Sequence, residues 1–146
     1  MRTLPAAMLP LLLAGCGTVP MPGYDRLDPG SWQLSATLGA PGTTKTAGPP
    51  QVAKLCLAAA EVARPVRETI LGMASRGQCR NGGATFANGT IGGAIRCEGM
   101  DDIPAHPEAV SGSYSHDSFR ITIDMPVYGS TVRQTIEAKR IGDCRG

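Results

Sequence analysis

The sequence predicts an α+β domain. It is a mostly antiparallel β meander with one helical segment packed on one face, and disulfides cross-link the domain. Three observations support this class. Apolar and polar residues alternate in several segments, one region repeats apolar residues at helical spacing, and four of the five cysteines lie beyond residue 50. Alternation with period two is typical of strands that bury one face. A small closed β-barrel is the alternative architecture.

The leader consists of Met1 and Arg2 followed by an apolar run over residues 4–14. A run of about a dozen residues fits a signal peptide and is shorter than the roughly 18 residues of a spanning helix. It ends in Leu13-Ala14-Gly15-Cys16, which resembles the lipobox of bacterial lipoproteins. That resemblance implies cleavage before Cys16 and acylation of this cysteine with lipid such as palmitate. An ordinary signal peptide with an incidental cysteine is the alternative.

The leader therefore covers residues 1–15, and residues 16–28 form a lipidated N-terminus and a tether rich in proline and glycine. Residues 29–146 are long enough for a single domain with its own core. No acidic residue directly follows Cys16. By the same resemblance this implies lipid anchoring in the outer membrane of the bacterial envelope, with the domain facing the periplasm.

The charge balance indicates which partners to expect. The chain has 14 Lys and Arg residues against 12 Asp and Glu residues, a formal net charge of +2. Proteins that bind nucleic acid carry a strongly basic surface, so near-neutrality argues against that class. The expected partners are membrane lipid, through the acylated Cys16, and an envelope protein or small ligand of unknown identity.

The predicted elements follow in order. Residues 31–38 alternate cleanly, with Trp32 and Leu34 on the inward face, and form the first strand. Residues 39–50 are rich in breakers and predict a loop before a second strand. Residues 57–63 are alanine-rich, and Pro65 suits the first turn of a following helix. Val66, Ile70 and Met73 then recur on one helical face, and Gly77 is a plausible stop.

The second half of the chain predicts hairpins. Asn88-Gly89 is a strong signal for a two-residue turn. A turn at His116-Asp117 places Tyr114 opposite Phe119 and Val110 opposite Ile123. Residues 119–125 alternate as a strand, and residues 126–129 form a further turn. The last strand runs over residues 130–140, with its inward face formed by Val132, Ile136 and Ala138.

With Cys16 assigned to lipid, the other four cysteines predict two disulfides, and three pairings are open. An unbroken hairpin about Asn88-Gly89 places Cys97 opposite Arg80. One extra residue, supplied at Gly82-Gly83 or Gly92-Gly93, would bring Cys79 opposite Cys97 instead. We therefore favour Cys79–Cys97 and, by elimination, Cys56–Cys144. Metal and redox sites favour closely spaced cysteines, as in Cys-x-x-Cys, so no metal site and no cofactor is expected.

Several landmarks resemble a known family. They are Pro29-Gly30-x-Trp32, Cys56-Leu57, the pair Cys79 and Cys97, and Arg140-Ile141-Gly142-Asp143-Cys144. Together they resemble a bacterial domain-of-unknown-function family, number thirty-six seventeen, found in exported proteins and lipoproteins. The resemblance spans about residues 29–144. It implies no activity and no catalytic residues, because the family has none established.

No catalytic set is predicted. His106 lies in a proline-flanked stretch that reads as a loop, and His116 lies at a turn tip, so both are expected to be exposed polar residues. Trp32 is the best single candidate for an aromatic ligand contact, although its position on an alternating strand favours the core. Asp101, Asp102 and Glu98 lack the spacing of a calcium loop. The serines Ser111, Ser113, Ser115 and Ser118 lack a nucleophile elbow.

These observations favour a non-enzymatic envelope lipoprotein that serves as a binding or structural module. An inhibitor of a periplasmic or host hydrolase is the alternative, because small lipid-anchored β domains with disulfides suit that task. An uncharacterised enzyme is the third hypothesis. A buried polar pocket that contains His106 or His116 would favour it.

Overall fold

The strands form one curled antiparallel sheet. A computed structural model describes residues 25–98 and 105–145 of the chain. Two short helices, α1 (Ala59–Val62) and α2 (Val66–Ser75), lie between the second and third strands. The strands are β1 (Gly30–Gly39), β2 (Gln51–Leu57), β3 (Cys79–Asn81), β4 (Thr85–Ala87), β5 (Thr90–Cys97), β6 (His106–Tyr114), β7 (Ser118–Val127) and β8 (Ser130–Gly142).

The strand order explains the shape of the domain. The order is β2-β1-β8-β7-β6-β5-β3, and β4 also pairs with β5. Strands β5 to β8 form a meander, and the first strand adds to it beside the last one. Residues of β2 and β3, from opposite ends of this order, line a single cleft. The sheet therefore curls into a half-barrel, and the described strands leave it open between β2 and β3.

The predicted hairpin registers are confirmed where the alternation was clear. Tyr114 lies opposite Phe119 and Val110 opposite Ile123, as the turn at residues 116–117 requires. The predicted strands over residues 31–38, 119–125 and 130–140 all form, each slightly longer than predicted. Alternation is reliable here because one face of each strand is buried, and a one-residue slip would expose that face.

The Asn88-Gly89 hairpin contains the bulge that the cysteine spacing requires. Asn88 and Gly89 both have positive φ, 48° and 79°, as a tight two-residue turn demands. Thr85 faces Gly92 on the turn side, whereas Cys79 faces Cys97 beyond it. The extra residue lies within residues 82–84, which separate β3 from β4. These two strands are thus one strand broken by a bulge.

The helical part is smaller than predicted. Leu57, expected in a helix, is the last residue of β2, and the helical region divides into α1 and α2 around Pro65. The longer helix ends where Arg76 adopts a left-handed conformation, just before Gly77. The described domain is therefore mostly β. None of its helices is long and apolar enough to cross a membrane.

The core is one cluster of buried side chains that come from the strands and from both helices. Trp32 is fully buried, and its indole Nε1 donates a hydrogen bond to the carbonyl oxygen of Asp28 at 3.1 Å. Trp32 is thus a core residue, as its position on an alternating strand predicts. Leu27, which composition placed in the tether, is also buried. Helix α2 contributes to the same apolar cluster through Val66, Ile70, Leu71 and Met73.

Candidate functional site

The residues that the structure describes cover only part of the concave face of the sheet, and the part they leave open forms a cleft of about 550 Å³. This volume lies within the usual range of small-molecule sites, about 300 to 1,000 Å³. The C-terminal end of α2 forms one wall and the curled sheet forms the rest. The apolar lining comes from Leu34, Ala36, Val52, Ala53, Met73, Ala74, Ile123, Met125, Pro126, Val127 and Ile136.

A carboxyl group interrupts this apolar face. Glu108 shares the inward face of β6 with Val110 and Tyr114, and it is only 5% exposed. Burial raises the pKa of its carboxyl group, while the charge and hydrogen bond of His106 oppose that shift. An acidic side chain on an apolar face costs stability unless it is well partnered. Its presence therefore marks this end of the cleft as a candidate site.

Two groups contact the Glu108 carboxyl group, one at each oxygen. His106 Nε2 lies 3.0 Å from Oε1, and the imidazole is itself about three-quarters buried. Cys97 Sγ lies 3.2 Å from Oε2. The polar end of the cleft thus combines a carboxyl group, an imidazole and a sulfur atom.

The two disulfides have different surroundings. Cys79 is bonded to Cys97 and Cys56 to Cys144, which are the pairings favoured by the hairpin geometry. Cys79 and Cys97 line the cleft, whereas Cys56 and Cys144 are exposed and tie β2 to the C-terminal segment. Both sulfurs of the cleft disulfide lie within 4.8 Å of a Glu108 oxygen. Because a disulfide offers no thiolate, this cluster suits disulfide chemistry rather than metal binding as it stands.

The expectation that His106 lies in an exposed loop is wrong. His106 is the first residue of β6 and points to the cleft, because the strand starts earlier than its flanking prolines suggest. Glu108 was not singled out in the sequence. The signal was present, since extending the inward alternation of Tyr114 and Val110 by two further steps reaches Glu108 and then His106.

His116 behaves as predicted, at an exposed turn tip. Its Nδ1 lies 2.8 Å from Asp28 Oδ2, and both side chains are about half exposed. In the same turn Ser115 and Ser118 each donate a hydrogen bond to the Asp117 carboxylate. These serines therefore stabilise the turn. Asp101 and Asp102 lie outside the described residues, while Glu98 lies at the rim of the cleft.

The first and last landmark motifs meet in space. A Cβ at Gly30 would lie 2.5 Å from the carbonyl oxygen of Gly142, so only glycine fits at this contact. Arg140 Nε donates a hydrogen bond to the carbonyl oxygen of Pro29 at 2.8 Å, and its Nη2 lies 2.5 Å from the Asp143 carboxylate. The two motifs therefore close the domain and do not contribute to the cleft.

Comparison with known proteins gives one match. No curated protein and no solved structure matches the chain. The family model described as "Protein of unknown function (DUF3617)" matches residues 27–144, a span that begins at the buried Leu27 and ends at the disulfide-bonded Cys144. This span includes every helix and strand of the described residues, both landmark motifs and the cleft. The chain therefore belongs to the DUF3617 family.

Proposed function

We propose that this protein is a lipid-anchored lipoprotein of the bacterial envelope whose domain binds a small amphiphile in the cleft. The anchor is supported by the sequence Leu13-Ala14-Gly15-Cys16 at the end of a short apolar run. It is also supported by the four other cysteines, which pair completely with one another and leave Cys16 for lipid.

The single observation that carries the binding function is the open apolar cleft. Its walls bring together apolar side chains from β1, β2, β7, β8 and α2, and Leu34 and Ile136 lie among the buried ones. A trough of this volume can remove most of a small ligand from water. Each buried methylene contributes roughly 0.8 kcal/mol, so an apolar chain alone supplies useful affinity.

The polar end of the cleft determines what kind of apolar ligand fits. Glu108 and His106 offer a carboxyl group and an imidazole at the end of an otherwise apolar trough. A ligand with a hydrogen-bonding head group, such as a hydroxyl or an amine, can add a hydrogen bond to this carboxyl–imidazole pair. A pure hydrocarbon offers the polar end of the cleft no hydrogen bond, which favours an amphiphile.

A second candidate function is acid–base catalysis, which the pairing of His106 with Glu108 in a cleft favours. The cleft lining includes one serine, Ser75, whose Oγ donates to the Leu71 carbonyl oxygen and accepts from the Cys79 amide. Because both hydrogen bonds of the Ser75 hydroxyl are made to backbone groups, this hydroxyl is poorly placed to act as a nucleophile. Binding is the better-supported function. Inhibition of a hydrolase stays a prediction, tested by assays against lysozymes and proteases.

The experiment uses N-phenyl-1-naphthylamine, a neutral apolar probe with one N–H donor whose fluorescence rises on leaving water. We expect saturable binding to the full chain. Ala36→Trp, which fills the cleft, should abolish it, whereas Ala109→Trp on the exposed outer face should not. Equal binding by both variants, or no binding by the native chain, would contradict the proposal.

A further inference from the structure

The disulfide in the cleft wall is asymmetric. Cys79 is partly exposed and lines the cleft, while Cys97 is 7% exposed on the inward face of β5. A thiol that enters the cleft therefore reaches Cys79 Sγ more readily than Cys97 Sγ. In thiol–disulfide exchange the attacked sulfur forms the mixed disulfide and the other sulfur leaves. The exposure pattern thus assigns attack to Cys79 and departure to Cys97.

The leaving sulfur has an acid beside it. Glu108 Oε2 is 3.2 Å from Cys97 Sγ, and the other carboxyl oxygen is held 3.0 Å from His106 Nε2. Protonating a leaving thiolate as it departs is general acid catalysis, and it requires the acid within hydrogen-bonding reach. Burial raises the pKa of the Glu108 carboxyl group, which favours its proton-carrying form.

We propose that the Cys79–Cys97 disulfide exchanges with thiols that enter the cleft, and that Glu108 transfers a proton to and from Cys97 Sγ. An external thiolate forms a bond to Cys79 Sγ, the Cys79–Cys97 bond breaks, and Cys97 leaves with its electron pair and takes the Glu108 proton. A second external thiolate then attacks the external sulfur of the mixed disulfide, and Cys79 leaves and takes a proton from solvent. The two external thiols lose two electrons as they form a disulfide, and the protein gains these electrons as two thiols. A proton released by the external thiols restores protonated Glu108.

The other disulfide serves as an internal reference. Cys56 and Cys144 are exposed, so accessibility alone would favour their reduction. Within residues 25–98 and 105–145, the cleft cluster is the one place where two cysteine sulfurs and a carboxylate oxygen lie this close together. Acid assistance should therefore act on Cys79–Cys97 and leave Cys56–Cys144 unaffected.

The test follows the reduction of both disulfides in the full chain by dithiothreitol, with acid quench, alkylation and peptide mapping by mass spectrometry. Glu108→Gln keeps the size of the side chain but cannot donate the proton. It should slow reduction of Cys79–Cys97 at least about tenfold, a smaller factor than the roughly 10²- to 10⁴-fold that general acid–base catalysis typically contributes. The Cys56–Cys144 rate should not change. Glu68→Gln, which is exposed on α2 and lies outside the cleft lining, is the matched control and should leave both rates unchanged.

A second readout distinguishes the proposed proton transfer by Glu108 from a purely structural role of this residue. Glutathione, a monothiol, should be trapped as a mixed disulfide on Cys79 in the native chain, and circular dichroism should show the fold intact while this occurs. Trapping mainly on Cys97, reduction only after unfolding, or equal rates in Glu108→Gln and the native chain would overturn the proposal. The outcome does not depend on amphiphile binding, which is measured separately.

Discussion

At single residues, Glu108 is the least expected feature of the domain. It occupies a position where the inward alternation of β6 calls for an apolar side chain, and it is buried between Cys97 and His106. Core positions that hold an acid commonly do so at a cost in stability. We infer that Glu108 is present for binding or chemistry and not for folding.

Replacing both members of the pair by leucine tests this inference. We expect the double variant Glu108→Leu with His106→Leu to leave the free energy of unfolding unchanged or to raise it by about 1 kcal/mol, because both polar groups of the pair give way to apolar side chains. Urea denaturation measures this change, with exposed Glu137→Leu as the comparison. A loss of more than about 2 kcal/mol would instead show that Glu108 and its partners hold the fold together.

The contact between His116 and Asp28 predicts a pH dependence. The hydrogen bond and the charge of Asp28 raise the pKa of the His116 imidazole. A raised pKa means that the contact stabilises the folded state below the ordinary histidine pKa of about 6.5, and that this contribution is lost as the pH rises through the raised value. The effect is small, because both side chains are half exposed.

The measurement is an NMR titration of His116 in the native chain and in Asp28→Asn. The asparagine keeps a hydrogen-bond acceptor but removes the charge, so we expect the pKa of His116 to fall toward its ordinary value. The stability difference between the two proteins should be greatest at about pH 6 and vanish in mildly alkaline solution. A stability difference that grows with rising pH would contradict the assignment.

Among the secondary-structure elements, close packing of neighbouring strands depends on specific glycines. A Cβ at Gly112 in β6 would lie 2.1 Å from the carbonyl oxygen of Arg120 in β7. Since that oxygen belongs to the backbone, the clash can be relieved only by moving a strand. Gly92 in β5 provides a contrast, because a Cβ there meets nothing within 4 Å.

This difference predicts the effect of two alanine substitutions. Gly112→Ala should lower the free energy of unfolding by at least about 2 kcal/mol, as overpacking in a rigid environment does. Gly92→Ala should change it by less than about 0.5 kcal/mol, as surface substitutions usually do. Thermal or urea denaturation gives both values. Equal effects would show that β6 and β7 are not spaced as described.

For the molecule as a whole, the sequence predicted the antiparallel strands, their hairpin registers and the bulge in the Asn88-Gly89 hairpin. These features depend on the local alternation of apolar and polar residues and on the turn residues, both of which can be identified directly in the sequence. The cleft could not be predicted in the same way. It arises because the sheet curls and brings Ala53 of β2 and Cys79 of β3 to one cavity, and curvature depends on long-range packing.

The proposed membrane anchor gives a further prediction for the whole molecule. In a bacterial host, the native chain should incorporate labelled palmitate and fractionate with membranes, and Cys16→Ser should do neither, because it removes the acylated sulfur. The double variant Cys56→Ser with Cys144→Ser is the control and should retain the label. Membrane association of Cys16→Ser at the native level would contradict lipid anchoring.

Binding in the cleft is the central claim, and the methionines allow it to be localised. Met73 and Met125 both line the cleft, whereas Met21 belongs to the predicted tether. In the full chain with ¹³C-labelled methionine methyl groups, assigned by Met73→Leu and Met125→Leu, N-phenyl-1-naphthylamine should shift the Met73 and Met125 signals in a saturable manner and leave Met21 unmoved. Saturable binding that leaves Met73 and Met125 unshifted would contradict the claim.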